Sequence, residues 1–298
     1  MKDARPKILV VGASGLVGSC LMERLGERAI GTRNASDRSD LVPLDITDGS
    51  ACNELLTKIA PAVVIHAAAL THVDRCEREP DFSHAVNLED TRNVASAAAR
   101  VGARYLFFST DYVFDGENGP HAVEEEPAPL NVYGRHKLEA ERVVRDLVED
   151  HVVIRACNLY GYDPQGMNFV MAVWKRLLAG EPVRVPADQW GSPTLAEDLS
   201  EAVDLLQAGD VTGVVHLAGP DYLDRLALAC RVAEAFGLSG CDIEGIDTAS
   251  LGQDAPRPLR GGLDAGSSCE RIGCAFRGVA DGLARVATQA FEDGNQSR

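Results

Sequence analysis

Lys7-Ile8-Leu9-Val10-Val11-Gly12-Ala13-Ser14-Gly15-Leu16-Val17-Gly18 decides the fold. Five residues of apolar, largely β-branched chain read as a buried strand. Three glycines spaced G-x-x-G-x-x-G follow at once, and Ser19 to Leu25 then reads as a helix. A strand, a glycine turn and a helix in that order form a phosphate cradle. The glycines allow a tight turn and close approach of backbone to a pyrophosphate, and the helix N-terminus turns its free N–H groups towards the anion. Gly12, Ser14, Gly15, Leu16, Val17 and Gly18 are the candidate cofactor residues of this loop.

Outward from the loop, strand and helix patterns alternate. Short strands are expected near Ala29-Ile30-Gly31, over Leu41 to Ile46, over Ala62 to Ala69, over Tyr105 to Phe108 and over His151 to Arg155. Asp81 to Arg100 reads as one long helix, and Val214 to Ala218 as a strand that rejoins the sheet. Strands alternating with helices predict an α/β fold, a Rossmann-type, doubly wound parallel sheet. The second half has fewer regular strands and is expected to form a smaller C-terminal substrate-binding cap. The boundaries predicted are 1–155 for the dinucleotide domain, with 195–218 returning to it, and 156–194 with 219–298 for the cap.

The residue after the second strand reads the adenosine ribose. An acid is usual there; this chain has Thr32-Arg33-Asn34. Arg33 suits a 2′-phosphate, which favours NADPH over NADH; the alternative is a solvated loop residue. Asp45, with Ile46 beside it, either accepts from the adenine amino group or caps the helix near Asp48. Ala67, Ala68 and Ala69 leave room for a cofactor close to backbone. His66 is read as a packed strand residue and Asn87 as structural. Ser109, Thr110 and Asp111 stand at the C-terminal end of a strand, where open α/β sheets bind ligands.

Tyr133 and Lys137 are four apart at the start of a helix, so phenol and ammonium share one face. The charge is expected to pull the tyrosine below its usual range and fit it to give a proton to a carbonyl oxygen. Ala255-Pro256-Arg257-Pro258-Leu259-Arg260 is a stiff basic turn, read either as an anion clamp or as a plain surface loop. Glu124-Glu125-Glu126 reads as a solvated loop.

Composition narrows the classes. The 298 residues are 45% hydrophobic, enough for a real core, and carry a formal charge of −16. That sign disfavours nucleic acid and anionic membrane surfaces as partners. No apolar run approaches the 18 or so residues of a membrane span, and Met1 to Pro6 lacks a signal-peptide core. Eight cysteines without a Cys-x-x-Cys read as reduced, mostly buried thiols of a cytoplasmic chain. No metal-ligand set is read, and a homodimer is allowed.

Gly12 to Gly18, Ala67 to Ala69, Ser109-Thr110-Asp111-Tyr112-Val113-Phe114 and Asn131-Val132-Tyr133-Gly134-Arg135-His136-Lys137 resemble the extended short-chain dehydrogenase/reductases. The likeness is strongest to the dTDP-4-dehydrorhamnose reductase branch, and continues through Gly191-Ser192-Pro193-Thr194 and Arg257-Pro258 to Leu263-Asp264. The resemblance implies Thr110, Tyr133 and Lys137 as the catalytic set, with Lys137 also holding the nicotinamide ribose. It implies NADPH, with NADH as second choice, and a nucleotide-sugar substrate touched by Thr110, Asp111, Asn158 and Arg257. Asn158 stands where rhamnose reductases typically carry a tryptophan. The chain also resembles the regulatory β subunit of methionine adenosyltransferase, an NADP-binding partner of another enzyme. A nucleotide-sugar epimerase is the third reading, whereas a dehydratase is disfavoured because Thr110 is not followed by an Asp-Glu pair.

Overall fold

Seven parallel strands form the centre of the molecule. The computed structural model describes residues 7–296 apart from 239 and 241, so Met1 to Pro6 and Cys241 lie outside the described residues. In chain order, β1 is Ile8–Val11, α1 Leu16–Leu25, β2 Ala29–Arg33, β3 Val42–Pro43, α2 Gly49–Ile59 and β4 Val63–His66. Next come α3 Val73–Arg78, α4 Pro80–His84, α5 Asp90–Val101, β5 Arg104–Thr110, α6 Val132–Leu147 and β6 His151–Ala156. The sheet runs Gly213–His216, β6, β5, β4, β1, β2, β3. All its pairings are parallel.

The strands are apolar on both faces because both faces are covered. Leu9 and Val11 of β1 join Val64, Tyr105, Phe107 and Val153 in one core, under α2, α5 and α6. The alternate residues Ile8 and Val10 join Ile65, Leu106, Val152 and Ile154 in the other, under α1 and the helix Ala196–Ala208. This is the period of two expected of a strand. Fully burying each such side chain contributes about 1.5–3 kcal/mol. Ile272, Cys274 and Phe276, near the end of the chain, pack against this second core.

Several boundaries differ from expectation. α1 starts at Leu16, three residues early, because Gly15 already has the extended backbone of an N-cap. β3 shrinks to two residues. Past it, Asp45 folds back to accept from Thr47 N–H and hydroxyl, and Asp48, not Asp45, caps α2 by accepting from Ser50 and Ala51. The strand before Ala67 ends at His66. The helix expected over 81–100 is instead α4, a wide π-type turn at Ala85–Glu89, and α5. Asn87 sits in that turn, nearly fully buried, and its amide accepts from Leu70 N–H (2.9 Å) and donates to Leu70 C=O (3.2 Å).

The cap has its own core. Helices Phe169–Leu178, Arg225–Ala235 and Val279–Gln296 enclose Met171, Leu177, Leu228, Val232, Leu283 and Val286. Val183–Pro186 pairs with Ile243–Ile246, a strand and partner the sequence does not announce. Of the cysteines, Cys52, Cys76 and Cys157 are buried, Cys20, Cys269 and Cys274 half-buried and Cys230 exposed, so burial is less general than expected. Among the described residues no helix is long and apolar enough to cross a membrane.

Helix α6 is fastened to β6 by a buried ion pair. Arg155 donates to both carboxylate oxygens of Glu141, at 3.0 and 2.8 Å, and both side chains are withdrawn from water. Ser109 of β5 donates to the same carboxylate. Removing one partner leaves the other charge buried and unpaired. Arg155→Ala is therefore expected to cost about 3–5 kcal/mol. In urea the midpoint should fall with little change in the slope m.

Candidate active site

The glycine loop, the β4 loop and the start of α6 meet at the C-terminal edge of the sheet. Gly12 has φ +85°, and a Cβ there would lie 2.6 Å from Ala68 N. A Cβ on Gly18 would lie 2.2 Å from Gly12 C=O. Both are glycine because three backbone segments touch, and the close approach leaves the front of the loop clear. Ser14 and Gly15 are exposed there and Leu16 half-exposed, while Val17 turns into the core. Ala67, Ala68 and Ala69 are half-exposed beside it. Asn87 holds their loop through Leu70, as a structural residue would.

This cradle fits a dinucleotide. Arg33 closes its outer end: its Nη1 donates to Asn34 C=O (3.4 Å), and its Nε is buried without a hydrogen-bond partner. Among the described residues no carboxylate pairs with Arg33. An unneutralised guanidinium at the end of β2 suits a 2′-phosphate. Asp45 is exposed near this end, whereas Ile46 is a core side chain between α2 and the sheet. Ser109 faces inward and its hydroxyl is taken by Glu141, so as a cofactor ligand it would have to give up that bond.

Tyr133 and Lys137 stand on the first turns of α6. Asn131 caps the helix, accepting from Gly134 N–H at 2.9 Å, and its amide donates to Pro256 C=O across to the basic turn. Tyr133 is buried, edge-on to Tyr112 (5.8 Å), with the Thr110 hydroxyl facing its phenol. The expected acidification by Lys137 is not found. Burial pushes the Tyr133 phenol well above its usual range, the Thr110 hydroxyl opposing and Asp111 adding to the rise. The reason lies in Lys137 itself, which is 1% exposed with its ammonium over the Phe107 ring, 4.0 Å from the centroid. Burial pushes it down to about 7 against the pull of Glu141. A lysine half-neutral at pH 7 has little charge to offer a neighbouring phenol.

Thr110 donates to Asp111 (3.2 Å) and accepts from Tyr112 N–H. Asp111 is buried and raised by that burial, with Gly262 N–H, the Thr110 hydroxyl and Arg225 opposing. Arg257 is not a free clamp. Its Nη2 is paired with Asp74 at 2.8 Å, and the pair is largely buried, tying α3 to the basic turn. Asn158 holds φ +47°, left-handed backbone that is uncommon outside glycine. Its Oδ1 accepts from Arg225 at 2.8 Å. The acidic run Glu124 to Glu126 is exposed, as expected, though Glu125 also meets buried His121.

Two residues escaped the sequence reading. Glu141 had a signal, being the third residue of the i, i+4, i+8 row begun by Tyr133 and Lys137. Arg225 had none, since only the folded cap brings it to the cleft.

His66 proves to be a packed residue, its Nδ1 2.6 Å from the Tyr105 hydroxyl. Burial, with Lys137 near, pushes it down to about 3, and burial with Arg155 near pushes His216 to about 4. Unfolded, both take up protons below about 6.5. The unfolded chain thus binds more protons over the interval between, and stability rises with pH there. Lowering the pH from 6.5 towards 4 should cost up to about 1.4 kcal/mol per pH unit for each histidine. Urea midpoints at pH 7 and 4.5 test this, and His66→Gln should flatten part of the loss.

The sequence matches the RmlD substrate binding domain family over residues 6–291. It is 34% identical over 295 residues to the probable low-salt glycan biosynthesis reductase Agl14 of Haloferax volcanii, covering 95% of this chain and 98% of that protein. It is 31% identical to methionine adenosyltransferase 2 subunit beta of Xenopus tropicalis, over 91% of this chain and 84% of that one. The dTDP-4-dehydrorhamnose reductase of Bacillus anthracis, solved in complex with NADP, superposes with a TM-score of 0.86 at 29% identity, over 96% of this chain and 99% of that chain.

Proposed function

The chain belongs to the RmlD substrate binding domain family, and on that basis we propose that it reduces the 4-keto group of a nucleotide-activated deoxysugar with NADPH. It is an oxidoreductase of the short-chain dehydrogenase/reductase kind. The observation that carries the reading is the meeting of Thr110, Tyr133 and Lys137 beside the glycine cradle. NADPH, when bound along Gly12 to Gly18, supplies the hydride.

The chain's own residues manage the proton. Burial keeps the Tyr133 phenol protonated at neutral pH, the state a proton donor to a keto oxygen must start from. The Thr110 hydroxyl, beside that phenol, holds the same oxygen in line. Lys137 sits deeper, where its ammonium meets the ribose hydroxyls and gains charge as they replace lost water. Residues 1–155 with 195–218 serve the cofactor in this reading, and the rest of the chain serves the sugar.

A regulatory role is the second reading, supported by the likeness to methionine adenosyltransferase 2 subunit beta. Turnover separates the two. Purified protein is mixed with NADPH and a panel of 4-keto nucleotide-sugars, and loss of absorbance at the nicotinamide band is followed. Binding of NADPH with no oxidation by any sugar would favour the regulatory role.

Tyr133→Phe should lower kcat by about 100-fold or more and leave NADPH affinity nearly intact, since the phenol acts only in the transition state. An active Tyr133→Phe enzyme would remove the tyrosine from its role. Arg33→Ala should weaken NADPH by about 10-fold or more, the worth of a charged hydrogen bond, and spare NADH. Equal losses for both cofactors would show that Arg33 does not read the 2′-phosphate.

A further inference from the structure

The cap presents one half-buried arginine to the cleft without a carboxylate beside it. Arg225 opens the helix Arg225–Ala235, and the direction of its side chain is fixed from both ends. Asp224 caps the helix by accepting from Ala227 N–H at 2.7 Å, and Arg225 N–H donates to Gln189 C=O at 3.0 Å. The guanidinium lies 4.7 Å from the centre of the Phe169 ring and donates through Nη2 to Asn158 Oδ1. Among the described residues no carboxylate lies within ion-pair distance of it, although the protein carries 45 acidic side chains.

The other buried arginines of this region are neutralised. Arg155 is paired with Glu141 and Arg257 with Asp74. Arg225 instead makes its side-chain bond to a neutral amide that is itself built in. Asn158 keeps a left-handed backbone, its C=O accepts from Thr194 N–H, and its Nδ2 fills the space a Cβ on Gly191 would occupy, 1.9 Å from that position. Asn158 stands two residues beyond Ala156, which pairs with Thr110 in the sheet. The field of Arg225 reaches both Asp111 and Tyr112. A stacked, oriented guanidinium with donors left over, set against a cavity wall, is an anion receptor.

We propose that Arg225, oriented by Asn158 and Phe169, receives the diphosphate of the nucleotide-sugar. The assignment rests on the reading that the substrate is such a compound. The phosphate charges meet the one half-buried cation of the wall that no acid has already neutralised, and Asn158 Nδ2 adds a neutral donor beside it.

The test uses the full chain and two probes, uridine diphosphate and thymidine diphosphate, titrated calorimetrically with the matching nucleosides as controls. Arg225→Gln should raise the Kd for both diphosphates by about 10- to 100-fold and leave nucleoside and NADPH binding unchanged. Arg225→Lys, which keeps the charge but not the fork, should hold the diphosphates to within about tenfold of wild type. Wild-type affinity in the glutamine variant overturns the proposal, and so does a wild type that binds neither diphosphate. If the glutamine variant also loses NADPH, the lysine variant decides: NADPH retained with diphosphate binding lost overturns it. The reductase reading fails separately. A wild type that oxidises NADPH with no keto-sugar, yet shows this pattern of affinities, leaves Arg225 assigned and the reaction refuted.

Discussion

A carboxylate and a guanidinium withdrawn from water hold the active helix to its sheet. Glu141 and Arg155 face each other with two hydrogen bonds, and Ser109 adds a third. Each member comes from a different element: α6, β6 and β5. Such a pair is weak evidence of net stability, because desolvation offsets much of the attraction. Its geometric effect is larger. It fixes the rotation of α6 about its own axis, and Tyr133 and Lys137 lie on the same row of that helix as Glu141. The same carboxylate lifts Lys137 against burial, so one group both places the ammonium and helps keep its proton.

Burial, more than neighbouring charge, sets the state of the site. Tyr133, Lys137, Asp111 and His66 all move in the direction that favours their neutral forms, and desolvation is the largest cause each time. A cleft lined by neutral groups has a low local dielectric, in which a charge developing on a keto oxygen is felt strongly by nearby donors. It also lets charges that arrive with ligands reset the balance.

The outline of this site was legible in one dimension because its parts are local. The strand, glycines and helix of the cradle are contiguous, and Tyr133 and Lys137 are one helical turn apart, so spacing alone places them. What failed were inferences that needed the third dimension. The phenol was expected to turn acidic from its distance along the chain to Lys137, but the ammonium is drawn onto the Phe107 ring. Arg257 looked free, but Asp74 reaches it from 183 residues away. The strand Ile243–Ile246 completes its ladder with Val183–Pro186 and has no meaning before the cap folds. Arg225 was invisible for the same reason.

The wide turn at Ala85–Glu89 constrains the length of the chain as well as its composition. A π turn accommodates one residue more than the α-helix around it. Deleting any one residue there would let α4 and α5 run on as a regular helix and rotate everything beyond by about 100°, one residue's share of a 3.6-residue turn. Val94, Ala95 and Ala98, now buried against the sheet, would swing off it, and Asn87 would let go of Leu70. Substitutions are thus easier to absorb between 85 and 89 than gaps. A descendant of this chain can change its letters in that stretch, but not their number.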